Sequence, residues 1–283
     1  MNYPIINLQC PLKYQLQGFS KAGNKTGFYV HGLKIILDAG VEIRKQSKGV
    51  FITHSHTDHS QMLPNIITCR DKLTPVYIPT SMYEPLKLLQ KSIKALSDGY
   101  IDNTIDDKIF MIQNNDIKIV KAFDAITYDN IYVEILKCYH TCESVGYGFN
   151  TKNKKLKPEY KNLSKNEIIE LKKQNIDMYC DNIEPQFIFF GDTNIDALKL
   201  HSEWKNYPSI IIECTGIEKN FITNTHYYDI GHIHVSDLIP FMKDNQDKQF
   251  ILIHVSSSIS TDDLIDIETH LQNNINKNIS IVK

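Results

Sequence analysis

Val50-Phe51-Ile52-Thr53-His54-Ser55-His56-Thr57-Asp58-His59 is the stretch that decides how this chain folds. Its first residues are β-branched, aliphatic or aromatic, as in a buried strand. The six residues from His54 to His59 then hold four metal-ligand side chains, His54, His56, Asp58 and His59. A strand that runs into a tight polar loop can aim imidazoles and a carboxylate into one small volume, which suits borderline and hard divalent cations such as zinc. With 11 histidines in 283 residues, this spacing arises by chance roughly once in a thousand such chains. A His-rich surface loop is therefore the weaker reading, and the loop reads as part of a dinuclear metal site.

Two ions about 3.5–4 Å apart need six or seven protein ligands, so the loop is incomplete alone. Three further strand-like runs end on candidate ligands. Tyr132-Val133-Glu134-Ile135-Leu136 precedes His140, Phe187-Ile188-Phe189-Phe190 precedes Gly191-Asp192-Thr193, and Phe250-Ile251-Leu252-Ile253 precedes His254. Taken singly, His140 or His254 reads as an ordinary buried or surface histidine. In α/β architectures, however, the ends of neighbouring strands form one rim where distant residues meet.

These residues resemble the metallo-β-lactamase superfamily of hydrolases, whose signature is this loop followed by a His, an Asp and a final His. The resemblance narrows on Lys155-Leu156-Lys157-Pro158-Glu159-Tyr160, Leu163-Ser164-Lys165-Asn166-Glu167-Ile168, Phe190-Gly191-Asp192-Thr193, Ile212-Glu213-Cys214-Thr215, Asp229-Ile230-Gly231-His232-Ile233-His234-Val235-Ser236 and Leu252-Ile253-His254-Val255-Ser256. In this order they are similar to short-form ribonuclease Z, the tRNA 3′-processing endoribonuclease, in its plant-like form.

The resemblance implies an α/β fold of the metallo-β-lactamase type, an αββα sandwich of two mixed β-sheets flanked by helices, formed by residues 1–283 as one domain with a lysine-rich insertion at about 151–180. It implies two zinc ions per chain, one on His54, His56 and His140 and the other on Asp58, His59 and His254, with Asp192 bridging both; manganese or iron can share such ligands. A hydroxide held between two cations is available at neutral pH and would attack phosphorus in line, with Asp58 orienting or deprotonating the water. Removal of the 3′ trailer from precursor tRNA leaves a tRNA 3′-hydroxyl and a trailer 5′-phosphate, and the departing ribose oxygen needs a proton. Glu213 and His232 match the family's donor relay, and His234 is a second candidate on the same loop. Asp38, in an Asp-Ala-Gly turn, matches a position that steadies a ligand histidine, or is an ordinary turn aspartate. A homodimer is the usual assembly in the family.

One departure bears on substrate. The family continues after its final ligand with Phe-Ser, a variable residue and Arg-Tyr, whereas this chain reads His254-Val255-Ser256-Ser257-Ser258-Ile259. The absent Arg is a natural phosphate contact, so phosphodiesterase chemistry is the firmer expectation and tRNA selectivity the weaker. A small phosphodiester such as a cyclic nucleotide, or a non-catalytic RNA-binding role, are the other readings.

Composition sets further bounds. Lys and Arg total 31 against 33 Asp and Glu, a net charge of −2, which excludes a chain coated in basic surface. It does not exclude a local basic face: Lys152, Lys154, Lys155, Lys157, Lys161, Lys165, Lys172 and Lys173 share a short segment whose only acids before Asp177 are Glu159, Glu167 and Glu170. Lys154, Lys155 and Lys157 are the candidate phosphate contacts; the alternative is a solvated lysine-rich surface. No stretch reaches the 18 or so apolar residues that span a bilayer, and Met1-Asn2-Tyr3-Pro4 does not open a signal peptide, so an intracellular, soluble protein without a membrane role is expected. Six cysteines without a Cys-x-x-Cys pair fit a reducing compartment. Cys138 and Cys142 bracket His140, but one strand does not easily turn both thiols onto one ion. The spacing also predicts a helix over 81–96, with Ser81 as its cap, and helices opening at Ser236 and Thr261, each the candidate cap of its own first turn.

Overall fold

The computed structural model describes residues 3–68, 74–100, 117–128, 130–218, 221 and 225–283. Strands β1 (Ile5–Asn7), β2 (Gln15–Lys21), β3 (Lys25–His31), β4 (Ile35–Leu37), β5 (Gly49–Phe51), β6 (Val76–Pro79) and β7 (Ile117–Val120) form one seven-stranded sheet in chain order. Strands β8 (Ala125–Tyr128), β9 (Ile131–Cys138), β10 (Ser144–Leu156), β11 (Tyr179–Phe189), β12 (Ser209–Glu213), β13 (Gln249–Ile253) and β14 (Ile279–Ile281) form a second. Both are mixed: β1 to β4 pair antiparallel and β4 to β7 parallel, while β8 to β11 pair antiparallel and β11 to β14 parallel.

The burial pattern explains the layering. Strand β2 alternates between buried and half-buried residues, as a one-sided strand must, whereas β5, β12 and β13 are buried on both faces. Three apolar clusters result. Phe28, Leu37, Phe51, Tyr147, Phe149, Phe187 and Ile251 fill the space between the sheets. Trp204, Leu238, Met242, Leu264 and Leu271 pack helices on the outside of the second sheet, and Leu63, Met82 and Leu86 do so for the first. This is the αββα sandwich expected from the resemblance.

That packing anchors the strand that carries the metal loop. Phe51, at the end of β5, stacks on Tyr77 at 4.6 Å and meets Tyr147 and Phe149 edge-on at 5.3 and 5.2 Å, each pair contributing about 0.5–1.5 kcal/mol beyond its buried area. The sheets are also tied directly, because the Val145 amide donates to the Thr53 carbonyl at 3.0 Å and the Tyr147 hydroxyl to the Ile52 carbonyl at 2.6 Å. Gly40 lets the loop close: a Cβ there would lie 1.7 Å from the Asp58 carbonyl oxygen, so any side chain would displace the loop.

Helix starts differ from the sequence expectations in detail. The helix at 83–98 is preceded by a single 3₁₀ turn and has no side-chain cap, so Ser81 does not cap it. The helix Val235–Asp244 is capped by His234, whose side chain accepts from the Ser236 amide, and the helix Thr261–Asn274 by Ser260 rather than Thr261. In both, the residue with an extended backbone just before the first turn takes the cap. Among the described residues no helix is long and apolar enough to cross a membrane.

Candidate metal centre

Every strand that carries a candidate ligand points the same way at one rim. His54 follows β5, His140 follows β9, Asp192 follows β11, Glu213 ends β12 and His254 follows β13. Since β9 and β11 both run antiparallel to the intervening β10, and β12 and β13 run parallel to β11, their carboxyl ends coincide. Asp58 and His59 come back to this rim on a four-residue helix, Thr57–Ser60.

The convergence is close. His254 Nε2 lies 3.1 Å from Asp58 Oδ2 and 3.2 Å from Asp192 Oδ2. His59 Nε2 lies 3.7 Å from Asp58 and 3.3 Å from Asp192, and His54 Nε2 is 3.7 Å from Asp192. His140 Nε2 and His56 Nδ1 face each other at 3.1 Å. Ligand atoms of His54, His56 and His140 (with Cys142), of His54, His59 and Asp192, and of Asp58, His59 and His254 each fall within 4.8 Å of one another. All seven side chains read from the sequence are thus brought together, and the groups formed at the rim also take in Cys142, His232 and Glu213.

The outer nitrogens of four rings are occupied. His54 Nδ1 donates to the Thr53 hydroxyl at 2.9 Å, and that hydroxyl sits 3.0 Å from Asp38. His59 Nδ1 donates to Asp38 Oδ2 at 2.8 Å, His140 Nδ1 to the Gly231 carbonyl at 2.9 Å, and His254 Nδ1 to the Thr215 hydroxyl at 2.9 Å. An imidazole that gives its proton outward keeps the inner lone pair for a cation. Inside, His54 Nε2, His59 Nε2 and Asp192 Oδ1 are buried without a hydrogen-bond partner. Such groups are costly unless something positive lies between them, and two ring nitrogens facing each other at 3.1 Å also require a proton or a cation there. The residues present therefore fit metal binding.

Electrostatics agree. Burial, reinforced by the neighbouring His59, holds His54 well below its ordinary range and thus neutral. Burial opposes charge on His59, but Asp192 and Asp38 outweigh it and lift this ring well above the usual value. Burial likewise opposes charge on Asp192, yet His254, His59 and His54 hold it well below the carboxylate range. Metal ligands must shed such protons, so ion binding here competes with protonation and weakens as pH falls.

Asp38 is buried, sits at φ 55 and receives the Thr53 amide at 2.8 Å as well as His59. His254 is at φ 59. Left-handed backbone at a residue other than glycine costs on the order of 1–2 kcal/mol, and both instances sit where a ligand ring is aimed.

Beside the ligands lies a second cluster. His232 Nδ1 is 2.8 Å from Glu213 Oε1, and Glu213 also accepts from the Thr193 amide at 3.2 Å, the Thr215 amide at 2.9 Å and the Thr215 hydroxyl at 2.9 Å. Burial lowers His232, but the Glu213 charge more than compensates and pushes it up to about 9. Its ring stands 4.8 Å from that of His140 and 5.5 Å from that of His254. His234 is elsewhere: its Nδ1 accepts from the Ser236 amide at the helix start and its ring is buried beside Tyr227. Of the two donor candidates, His232 is therefore the one beside the ligands.

Sequence reading missed Thr53, Thr215 and the Gly231 carbonyl, which tie the outer ring nitrogens. A Cβ on Gly231, at φ 76, would lie 2.8 Å from His140 Cα. Thr53 and Thr215 do adjoin the motifs, each at the end of an apolar run. His201, without a motif, is buried between the Lys137 amide and Glu203.

The lysine segment extends β10 and β11 into a hairpin past a bulge at Phe149/Asn150, carrying the helix Lys165–Lys173. Lys152 and Lys154 both pair with Asp181, at 3.0 and 2.8 Å, and Lys157 donates to the Asp177 carbonyl at 2.6 Å. The Lys155 carbonyl accepts from the Cys180 thiol.

No protein-family model matches the chain. It is 28% identical over 264 residues to tRNase Z TRZ1 of Arabidopsis thaliana, covering 89% of either chain, and 25% identical to the chloroplastic tRNase Z TRZ2 of the same plant, covering 94% of this chain and 74% of that one. The fold matches the metallo-β-lactamase fold protein YhfI from Bacillus subtilis with a TM-score of 0.60 at 12% identity, over 94% of both chains. With its candidate donors gathered at one rim, this chain has the metallo-β-lactamase fold and is similar over most of its length to plant tRNase Z proteins.

Proposed function

We propose that this protein is a zinc-dependent endoribonuclease that removes the 3′ trailer from precursor tRNA. The observation that carries the reading is the convergence of His54, His56, Asp58, His59, His140, Asp192 and His254 at one rim, in a chain similar over most of its length to tRNase Z proteins. Manganese or iron in place of zinc is compatible with the same donors.

A bound pair of divalent ions supplies Lewis-acid charge and lowers the pKa of water. The chain's own residues do the rest. Asp58, held by the Gly23 amide at 3.1 Å and by His254, orients the attacking water and takes up its proton. Water adds to phosphorus while the bond to the ribose 3′ oxygen breaks. His232, protonated at neutral pH and fixed through Nδ1 on Glu213, delivers the proton from Nε2 to that departing oxygen, leaving a tRNA 3′-hydroxyl and a trailer 5′-phosphate. Thr215 touches Glu213, His232 and His254 at 2.9–3.2 Å, so the proton donor and the ligand set move as one unit.

Lys154, Lys155 and Lys157 on the hairpin hold RNA phosphates. The internal pairs of Lys154 with Asp181 and of Lys157 with Asp177 are weak and exchange readily with phosphate oxygens. The decisive experiment is cleavage of an end-labelled precursor tRNA with a 3′ trailer, comparing the protein with Asp58→Ala and with a variant in which the three lysines are neutralised. A single cut after the discriminator base is expected, abolished in the first variant and weakened, with a shallower salt dependence, in the second. Absence of that cut from metal-loaded protein, with cleavage of a small phosphodiester indifferent to the lysines, would assign the site to the smaller substrate instead.

A homodimer fits the surface. Leu88 and Leu96, on one side of the helix Tyr83–Asp98, are 67% and 83% exposed, with Leu89 and Tyr100 exposed nearby. Sedimentation is expected to give a dimer that Leu88→Lys with Leu96→Lys converts to monomer; a wild-type monomer at micromolar concentration would refute it.

A further inference from the structure

Phe123, in the turn between β7 and β8, carries two costs that the fold does not recover. Its ring is 68% exposed, and its backbone sits at φ 72, a left-handed conformation that suits glycine or asparagine better than a bulky residue. The turn is tied to β9, because the Phe123 amide donates to the Ile135 carbonyl at 2.7 Å and the Ile135 amide to the Asp124 carbonyl at 2.9 Å. Behind the ring lies His201, with the two centroids 5.6 Å apart. His201 is buried and fixed through both nitrogens, one 2.9 Å from the Lys137 amide and the other 2.9 Å from Glu203. The Phe123 ring is thus braced from beneath and open to solvent outside.

Cations flank it. Lys121, at the start of the turn, and Lys137, on β9, are exposed, and among the described residues neither is paired with an acid. Of the acids nearby, Glu203 is held by His201 and Asp124 is exposed beside Phe123. The Lys137 ammonium stands 4.8 Å from the centroid of Tyr139, which keeps it over the strand end. Tyr139 is locked to the metal rim: its amide donates to the Thr193 hydroxyl at 2.8 Å and its carbonyl accepts from the Asn194 amide at 3.0 Å. The surface is therefore continuous with the proposed centre, and Ile135, to which Phe123 is tied, is no more than about 18 Å along the chain from His140.

We propose that Phe123, Lys121 and Lys137 form a binding surface for the single-stranded trailer of the substrate, the ring stacking an unpaired base and the two ammonium groups holding phosphates. The proposal rests on the reading of the site as a trailer-removing endoribonuclease. An exposed ring between unpaired cations matches single-stranded nucleic acid, in which each base offers an apolar face and each linkage a negative charge. A duplex hides its base faces in the stack, so the surface fits the trailer and not the acceptor stem.

The test is steady-state cleavage of one precursor tRNA carrying either a single-nucleotide trailer or a trailer of about ten nucleotides, by metal-loaded wild type, Phe123→Gly, Phe123→Trp and Lys137→Gln. Wild type is expected to have the lower KM for the long trailer. Phe123→Gly is expected to bring the two KM values together by raising the long-trailer one about 5-fold or more, the loss of one stacked base. It is expected to melt close to wild type, because glycine suits the left-handed backbone, so a folding defect does not mimic the effect. Phe123→Trp, which keeps a ring, is expected to keep the wild-type ratio. Lys137→Gln is expected to reduce the slope of log KM against log salt by about 0.7 for the long trailer, one phosphate contact on a single strand. Equal KM values for the two trailers in wild type overturn the inference, and so does a Phe123→Gly variant with the wild-type ratio. No cleavage of either precursor by the unmodified protein overturns the endoribonuclease reading instead, and is distinguishable because it appears before any substitution.

Discussion

Asp192→Ala is expected to strip the protein of most of its bound metal and to abolish phosphodiester cleavage, with both effects larger than for any other single ligand. Asp192 is the carboxylate common to the cluster: it lies within 3.2–3.7 Å of His54, His59 and His254 and is 2% exposed. The histidines at that rim are neutral ligands when loaded, so Asp58 and Asp192 supply the compensating negative charge, and Asp58 is the more solvated of the two. Loss of a mere outer partner costs about 10–100-fold in affinity; removal of a buried anionic ligand shared by both ions is expected to exceed that. Elemental analysis after gel filtration checks the first effect and precursor tRNA cleavage the second. Two ions per chain retained in the variant would sink the assignment of Asp192 as the bridge.

The same substitution has a signature in metal-free protein. The folded-state pKa of Asp192 is depressed below the ordinary 3.8, so its charge contributes stability that is fully present above that value and is lost as pH falls through the depressed value. Asp192→Ala is therefore expected to unfold at lower temperature near neutral pH and to lose that part of the acid sensitivity, as read by melting temperature against pH.

His232→Ala is expected to slow cleavage about 10²–10⁴-fold, the range for loss of a positioned general acid, while leaving both ions bound. The Glu213 charge pushes His232 up to about 9, so the imidazole is protonated at neutral pH and the rate falls as pH rises through its pKa. Bound cations repel that charge, which places the alkaline limb of the kcat profile below 9 in the loaded enzyme. Glu213→Gln removes the countercharge, so the limb is expected to move further down in pH. His234→Ala is the control: it removes a helix cap at a cost of about 1 kcal/mol and is expected to lower stability with little effect on the limb. An unshifted limb in Glu213→Gln would show that another group supplies the proton.

The candidate donors were legible because they adjoin strand ends. Val50 to His59 states both the strand and the loop in ten consecutive residues, and His140, Asp192 and His254 each follow a run apolar enough to be read as a strand. The apolar stretch of β13 likewise marks a buried strand, whereas β2 puts Gly18 and Ser20 on its buried face and Phe19 on the other, so its one-sidedness is visible only in the fold. Caps were less legible: Ser260 and Thr261, or His234 and Ser236, are close in sequence and chemistry, and the backbone angle that separates a cap from a first-turn residue is set by what the helix packs on.

What the sequence by itself determined was the set of donor residues, the strands that carry them and the resemblance they make to a known fold. Only the tertiary structure decided which nitrogen of each ring faces inward, that Thr53, Thr215 and Gly231 hold the outer ones, that His232 lies beside the ligands while His234 caps a helix, and that Cys142 rather than Cys138 reaches His56. The physical reason is directional. A donor's identity is local and follows from residue type, but the orientation of an imidazole depends on hydrogen bonds to distant residues, 91 positions away from His140 to Gly231 and 196 from His254 to Asp58, and such partners meet only when the strand ends have been gathered at one rim.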